Sequence, residues 1–187
     1  LKGADTMNTV QPIRELDKIE TMKSELLKSS YRDYLLFMCG INLGRRVGDL
    51  LSLKVCDLKG KTHLIIKEEK TGKTIPLAIN EGLQSAINSF TANMLDDEYL
   101  FQSRIGENKP ITRIQAYRIL NAAATKCNIL DIGTHTMRKT FGYHFYQKTH
   151  DIATLMQLFG HSSPAITLRY IGINQDMLDK AMTEFSL

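Results

Sequence analysis

One segment constrains what this chain can fold into. From Tyr31 to Leu43 the sequence reads YRDYLLFMCGINL, strongly apolar over the length of a helix and interrupted by Gly44. Such a helix has to be buried, so other elements must surround it. The flanking sequence supplies them. Pro12 opens a stretch in which Ile13, Leu16, Ile19, Met22 and Leu26 recur near helical spacing, which predicts a first helix. Residues 46–52 predict a short helix with Val47, Leu50 and Leu51 turned inward. Further helices are expected over about 81–94, 112–127, 134–148 and 151–159. Ser163-Pro164 is an N-cap followed by proline at the first helical position, and it starts a helix toward Tyr170. Residues 54–79 differ: Val55–Leu58, His63–Lys67 and Lys73–Leu77 are short and β-like, separated by Lys59-Gly60-Lys61 and Thr71-Gly72 turns. The expectation is a mainly α fold with one small antiparallel sheet of about three strands, an α+β domain. Residues 101–110 read as a polar loop or hairpin.

At 187 residues the chain suits one domain with a proper core. We take residues 12–187 as that domain and residues 1–11 as a tail, either an appended remnant ahead of Met7 or the end of a linker. No apolar run approaches the roughly 20 residues that span a bilayer, and the N-terminus has no secretory h-region. A net charge of +4 fits a polyanionic partner without demanding one. Cys39, Cys56 and Cys127 form no CxxC pair, so neither a disulfide framework nor a zinc site is indicated, and a cytoplasmic setting is expected.

Three segments stand out chemically. The first is Gly44-Arg45-Arg46-Val47-Gly48-Asp49-Leu50, in which Asp49 lies one turn beyond Arg46 and could orient its guanidinium. A plain intrahelical ion pair would read the same. The second is His135-Thr136-Met137-Arg138-Lys139-Thr140-Phe141. His135 and Arg138, i and i+3 near a helix start, project from one face, and the pair suits a phosphodiester: the guanidinium binds two oxygens and the imidazole moves a proton. A solvated basic helix face is the alternative. The third is Leu158-Phe159-Gly160-His161-Ser162-Ser163-Pro164, leading to Thr167-Leu168-Arg169-Tyr170.

In order, Gly-x-Arg-Val-x-Asp-Leu, His-x-Met-Arg-x-Thr-Phe, Leu-x-Gly-His-Ser-Ser and Thr-x-x-Tyr resemble the tyrosine recombinase (phage integrase) family across about residues 14–170. The resemblance implies a recombinase catalytic-domain fold and DNA strand cleavage and rejoining through a 3′-phosphotyrosine, with no cofactor, metal or ATP. It implies Arg46, His135, Arg138 and His161 as the phosphate-binding and proton-moving groups and Tyr170 as the nucleophile. It also implies a general-acid lysine in a hairpin turn. Lys70 in Lys70-Thr71-Gly72-Lys73 matches that position, and Lys73 is the fallback. Arg45 and Lys139 depart from the family's usual residues, and with Lys73 and Arg169 they are candidate DNA contacts. Asp49 and Met137 are mild changes. Double-stranded DNA and self-association into a tetramer on it are the implied partners. The upstream DNA-clamping domain usual in the family would lie outside this chain, unless the protein is nearly catalytic-domain only, like the fimbrial phase-switch recombinases. A type IB topoisomerase and a non-catalytic DNA-binding regulator on the same fold are the competing readings. Finally, Met177, Leu178, Ala181, Met182 and Phe185 form an apolar stripe in an expected tail helix over 175–185, free to dock on its own domain or on a neighbouring protomer.

Overall fold

In a computed structural model, which describes residues 10–67, 74–174 and 182–185, the apolar run is indeed central. Helix α1 (Leu16–Ser29) buries Ile19, Met22 and Leu26, one stripe at i, i+3 and i+7. Helix α2 (Tyr31–Leu43) buries Leu35, Leu36, Phe37, Cys39, Gly40 and Leu43 and ends on Gly44 in the left-handed conformation. Burial of each large side chain contributes about 1.5–3 kcal/mol. After α2 come α3 (Val47–Leu51), α4 (Val55–Leu58), strands β1 (His63–Lys67) and β2 (Thr74–Ala78), then α5 (Glu81–Thr91), α6 (Arg113–Lys126), α7 (Thr136–Thr149), α8 (Ile152–Phe159) and α9 (Pro164–Ile171). Helix α2 packs against α1, α3, α5 and α7.

Side-chain caps set several starts. Asn80, Thr112, Asp151 and Ser163 accept from the backbone N–H of Leu83, Gln115, Thr154 and Ile166, respectively. The segment 101–110 is a hairpin turn: Ser103 N–H donates to Lys109 and Ile111 N–H to Phe101.

Two expectations are corrected. Residues 55–58 are helical, so the sheet among the described residues has two strands, paired antiparallel from His63 opposite Ala78 to Lys67 opposite Thr74. Val55 and Leu58 are buried while Cys56 and Asp57 are exposed, the i, i+3 spacing of a helical turn. The turn is closed by Asp57, whose carboxylate accepts from the Lys54 N–H at 2.8 Å. The first helix also starts later than Pro12. The backbone at 10–14 runs across α7 instead, with the Ile13 N–H donating to Thr140 Oγ1 at 2.9 Å. Lys70, Lys73 and most of the predicted tail helix lie outside the described residues; residues 182–184 are helical, with Met182 and Phe185 exposed.

Two apolar clusters result. The large one is built around α2. The smaller one joins Leu155, Phe159, Ile171 and Ile173 with aromatic residues of α7. Gly44 is the hinge between them: its φ is +60°, and a Cβ there would lie 2.3 Å from the Phe141 ring. We expect Gly44→Ala to cost about 1–2 kcal/mol from the backbone conformation alone, with displacement of Phe141 adding to it, read as a lower urea midpoint at unchanged m-value.

Candidate active site

The site is assembled where helices begin and end. Arg46 follows the left-handed terminus of α2 and stands at the N-cap of α3. His135 is the N-cap of α7, and Arg138 lies in that helix's first turn. His161 follows Gly160, the left-handed terminus of α8. Tyr170 is one residue from the end of α9, which stops at the left-handed Gly172. Chain reversals at glycine thus bring together side chains far apart in sequence.

Arg138 is the most constrained of them. It is 3 % exposed. Its Nη1 donates to the Gly44 carbonyl at 2.8 Å and its Nη2 to the Phe159 carbonyl at 3.1 Å. The guanidinium carbon lies 4.2 Å from the centre of the Phe159 ring. Burial, followed among the lowering causes by the Arg46 and Arg45 cations, pulls its pKa down to about 10, so it stays charged at neutral pH.

Tyr170 lies among His135, Phe159 and His161. The His135 Nδ1 is 3.1 Å from the Tyr170 hydroxyl. The His161 and Tyr170 rings meet edge to face at 5.2 Å, and Phe159 and Tyr170 at 5.5 Å. Burial raises the phenol's pKa, and the Arg138 and Arg46 cations oppose the rise. His135 is shifted the other way, by desolvation first and then by Arg138, Lys139 and Arg46. It is therefore neutral at pH 7 and able to accept the phenolic proton. His161 is lowered in the same manner by burial, Arg138 and Arg46.

The His161 Nδ1 is 3.0 Å from Thr167 Oγ1. That hydroxyl has a second, longer outlet at 3.4 Å to the Ser163 carbonyl. Together the two contacts hold the His161 ring against the first turns of α9. Thr167 belongs to the Thr-x-x-Tyr segment, but its part in orienting His161 was not read from the sequence; the contact is formed across a turn that spacing does not define.

Arg46 is exposed, and among the described residues nothing bonds its guanidinium. It still acts electrostatically on His135, Arg138, His161 and Tyr170, so all five groups share one region. Beside it runs an open groove of about 470 Å³ between Arg45, Asp49, strand β1 and the end of α8, which does not reach His135 or Tyr170. Asp49 pairs with Arg45 at 3.2 Å rather than with Arg46. Lys139 donates to the Val10 carbonyl at 2.7 Å and lies 5.3 Å from the centre of the Tyr170 ring. Arg169 is exposed. Among the described residues no three His, Cys, Asp or Glu side chains gather closely enough to hold a metal ion, and no helix is long and apolar enough to cross a membrane.

The phage integrase family model matches residues 14–177. The chain belongs to the phage integrase family. One relative, named "Probable integrase/recombinase YoeC", of Bacillus subtilis strain 168, is 51% identical over 179 residues, spanning 96% of this chain and 98% of that protein. The tyrosine recombinase XerA of Pyrococcus furiosus is 26% identical over 174 residues, and the match covers 91% of this chain but only 60% of XerA. The mainly helical fold with its small sheet is shared with a crystal structure of XerA recombinase, TM-score 0.74 at 23% identity over 93% of this chain and 64% of that one. It is shared also with a lambda integrase dimer bound to a COC′ core site, TM-score 0.66 at 18% identity over 87% and 60%. These names are those of integrases and recombinases, which does not favour the topoisomerase and regulator readings.

The Thr167 assignment is testable within this family's chemistry. Thr167→Val keeps the volume of a fully buried side chain and removes the hydroxyl. DNA cleavage is expected to slow by about tenfold, the loss of one orienting hydrogen bond, with little change in DNA affinity.

Proposed function

We propose that this domain performs site-specific recombination by cutting and rejoining DNA through a covalent 3′-phosphotyrosine at Tyr170. The observation that carries the reading is the Tyr170–His135 contact placed beside two arginines. A phosphodiester is an anion and repels nucleophiles, and its transition state spreads charge over the non-bridging oxygens. Arg138 and Arg46 are the cations that would hold those oxygens, helped by His161. The Tyr170 oxygen attacks phosphorus, and its proton passes to His135 Nδ1. The bond from phosphorus to the 5′ oxygen breaks, and that oxygen takes a proton from Lys70, the role the family resemblance gives it. Attack by a 5′-hydroxyl reverses the sequence, so rejoining needs no external energy source.

The partner on this reading is double-stranded DNA, bound chiefly through its phosphates and with a steep dependence on salt. Solved relatives include a lambda integrase tetramer bound to a Holliday junction. We extend that assembly to this chain: four subunits on paired sites, with any further DNA-binding domain lying outside these residues. Arg45, Lys73 and Arg169 are the proposed backbone contacts, and a cytoplasmic location follows from DNA as substrate.

Two experiments test the chemistry. A pool of singly nicked duplexes, randomised around the nick, should yield a covalent protein–DNA adduct that Tyr170→Phe abolishes while DNA binding persists. An undiminished adduct in that variant would show that another residue attacks. For the acid, Lys70→Ala should slow cleavage, and a 5′-bridging phosphorothiolate should restore it, because sulfur departs without a proton. Rescue of Lys73→Ala instead would transfer the role to Lys73.

A further inference from the structure

Residues 10–14 lie as a strap across the helix that carries His135 and Arg138 and reach the end of the helix that carries Tyr170. The Gln11 N–H donates to the Asp131 carbonyl at 3.1 Å, and the Ile13 N–H donates to Thr140 Oγ1 at 2.9 Å. The Ile13 carbonyl is 2.9 Å from His144 Nε2. Val10 packs so closely on Gly133 that a Cβ there would be 2.4 Å from it. At the other end, Arg14 Nη2 donates to the carbonyl of Gly172, the cap of α9, at 3.4 Å. Arg14 also lies 5.4 Å from the centre of the Tyr143 ring.

Lys139 is where this strap meets the chemistry. Its ammonium is partly buried, bonded to the Val10 carbonyl at 2.7 Å, and 5.3 Å from the centre of the Tyr170 ring. A lysine serving DNA alone would keep its head in solvent, because desolvating an ammonium is unfavourable. Here a backbone carbonyl and an aromatic face compensate the desolvation. We propose that the 10–14 strap fixes the nucleophile, with Lys139 and Arg14 as positioning residues: Lys139 sets the face of Tyr170 and Arg14 holds the end of α9. The proposal rests on the reading of Tyr170 as nucleophile. It gives the segment that enters the domain a direct mechanical link to the attacking group.

The charged and titratable groups around Tyr170 are His135, Arg138 and Lys139 from α7, Arg46 from the start of α3, and His161 from the turn before α9. A test must therefore separate Lys139 from its neighbours. Fluorotyrosine incorporated into the chain gives a 19F resonance for position 170, assigned by its loss in Tyr170→Phe, whose pH titration needs no DNA. Lys139→Met should raise its midpoint, since a cation beside the ring favours the phenolate, and Lys139→Arg should restore it. On the nicked-duplex pool at saturating concentration, Lys139→Met and Arg14→Gln should form adduct about tenfold more slowly, with the salt slope of binding unchanged. An unmoved midpoint with wild-type adduct rate overturns the proposal. So does weaker binding with a salt slope reduced by about 1 and a normal rate at saturation, which makes Lys139 a phosphate contact. Lys139→Arg and Arg14→Lys keep the test open should the larger changes unfold the domain. If the wild-type chain forms no Tyr170-dependent adduct, the recombinase reading fails, and the 19F titration still decides the strap.

Discussion

The structure depends on one buried cation. Arg138 reaches from the first turn of α7 to the Gly44 carbonyl at the end of α2 and the Phe159 carbonyl at the end of α8. Both are helix C-termini, where carbonyls lack intrahelical partners and the helix dipole is negative. One guanidinium therefore satisfies two helix ends at once, and it joins the large cluster around α2 to the small cluster under α9. Loss of such a group leaves two carbonyls buried without donors, at about 1–3 kcal/mol each. A lysine cannot replace it, because a point charge on a flexible stem does not span two fixed acceptors. The residue that would bind phosphate is also the tie that brings the phosphate's other partners together.

The electrostatics of the site point the same way. Burial first, and then Arg138 and Arg46, lower the proton affinity of both site histidines; Arg46 also lowers that of Arg138, and Lys139 adds a further cation at His135. The carboxylate at hand, Asp49, is engaged by Arg45. Like charges gathered in a partly dry region raise the energy of the empty site. An anion seated among them relieves that repulsion, most of all an anion that gains charge in the transition state. The lowered proton affinity of both histidines completes the arrangement: His135 is able to take a proton, and Thr167 holds the His161 ring in place.

Much of this was legible in the sequence because it is written in local signals. Apolar periodicity located α2, and the Ser163-Pro164 cap located the start of α9. The resemblance of the ordered motifs to the tyrosine recombinase family implied Arg46, His135, Arg138, His161 and Tyr170 as one set. What was missed depends on contacts between distant segments. Val55–Leu58 looks like a strand until the i, i+3 burial and the Asp57 capping bond are seen. Its backbone is bonded to Glu98 and Asp96, a pairing that no periodicity announces. Asp49 sits within helical reach of two adjacent arginines, so spacing does not decide its partner. Lys139 reads as a DNA contact in the sequence, and its bond to the Val10 carbonyl depends on the path of residues 10–14 over α7.

That path matters because of where Tyr170, the proposed nucleophile, is mounted. Helix α9 packs mainly on α7 and α8, over a cluster of four buried apolar residues, Leu155, Phe159, Ile171 and Ile173. The cluster around α2 is several times larger. Local stability follows buried contact, so α8 and α9 are held by less of it than the helices around α2. Gly142 lets Phe159 and Ile171 approach α7 closely, since a Cβ there would lie within 2.8 Å of both side chains. Polar contacts add to that hold: Arg14 at its C-terminal cap, Thr167 at its first turns, and His135 and Lys139 at Tyr170. Polar ties of this kind are directional and break over short distances, whereas apolar packing yields gradually. The alignment of Tyr170 therefore rests on a few directional bonds more than on the bulk of the core beneath it.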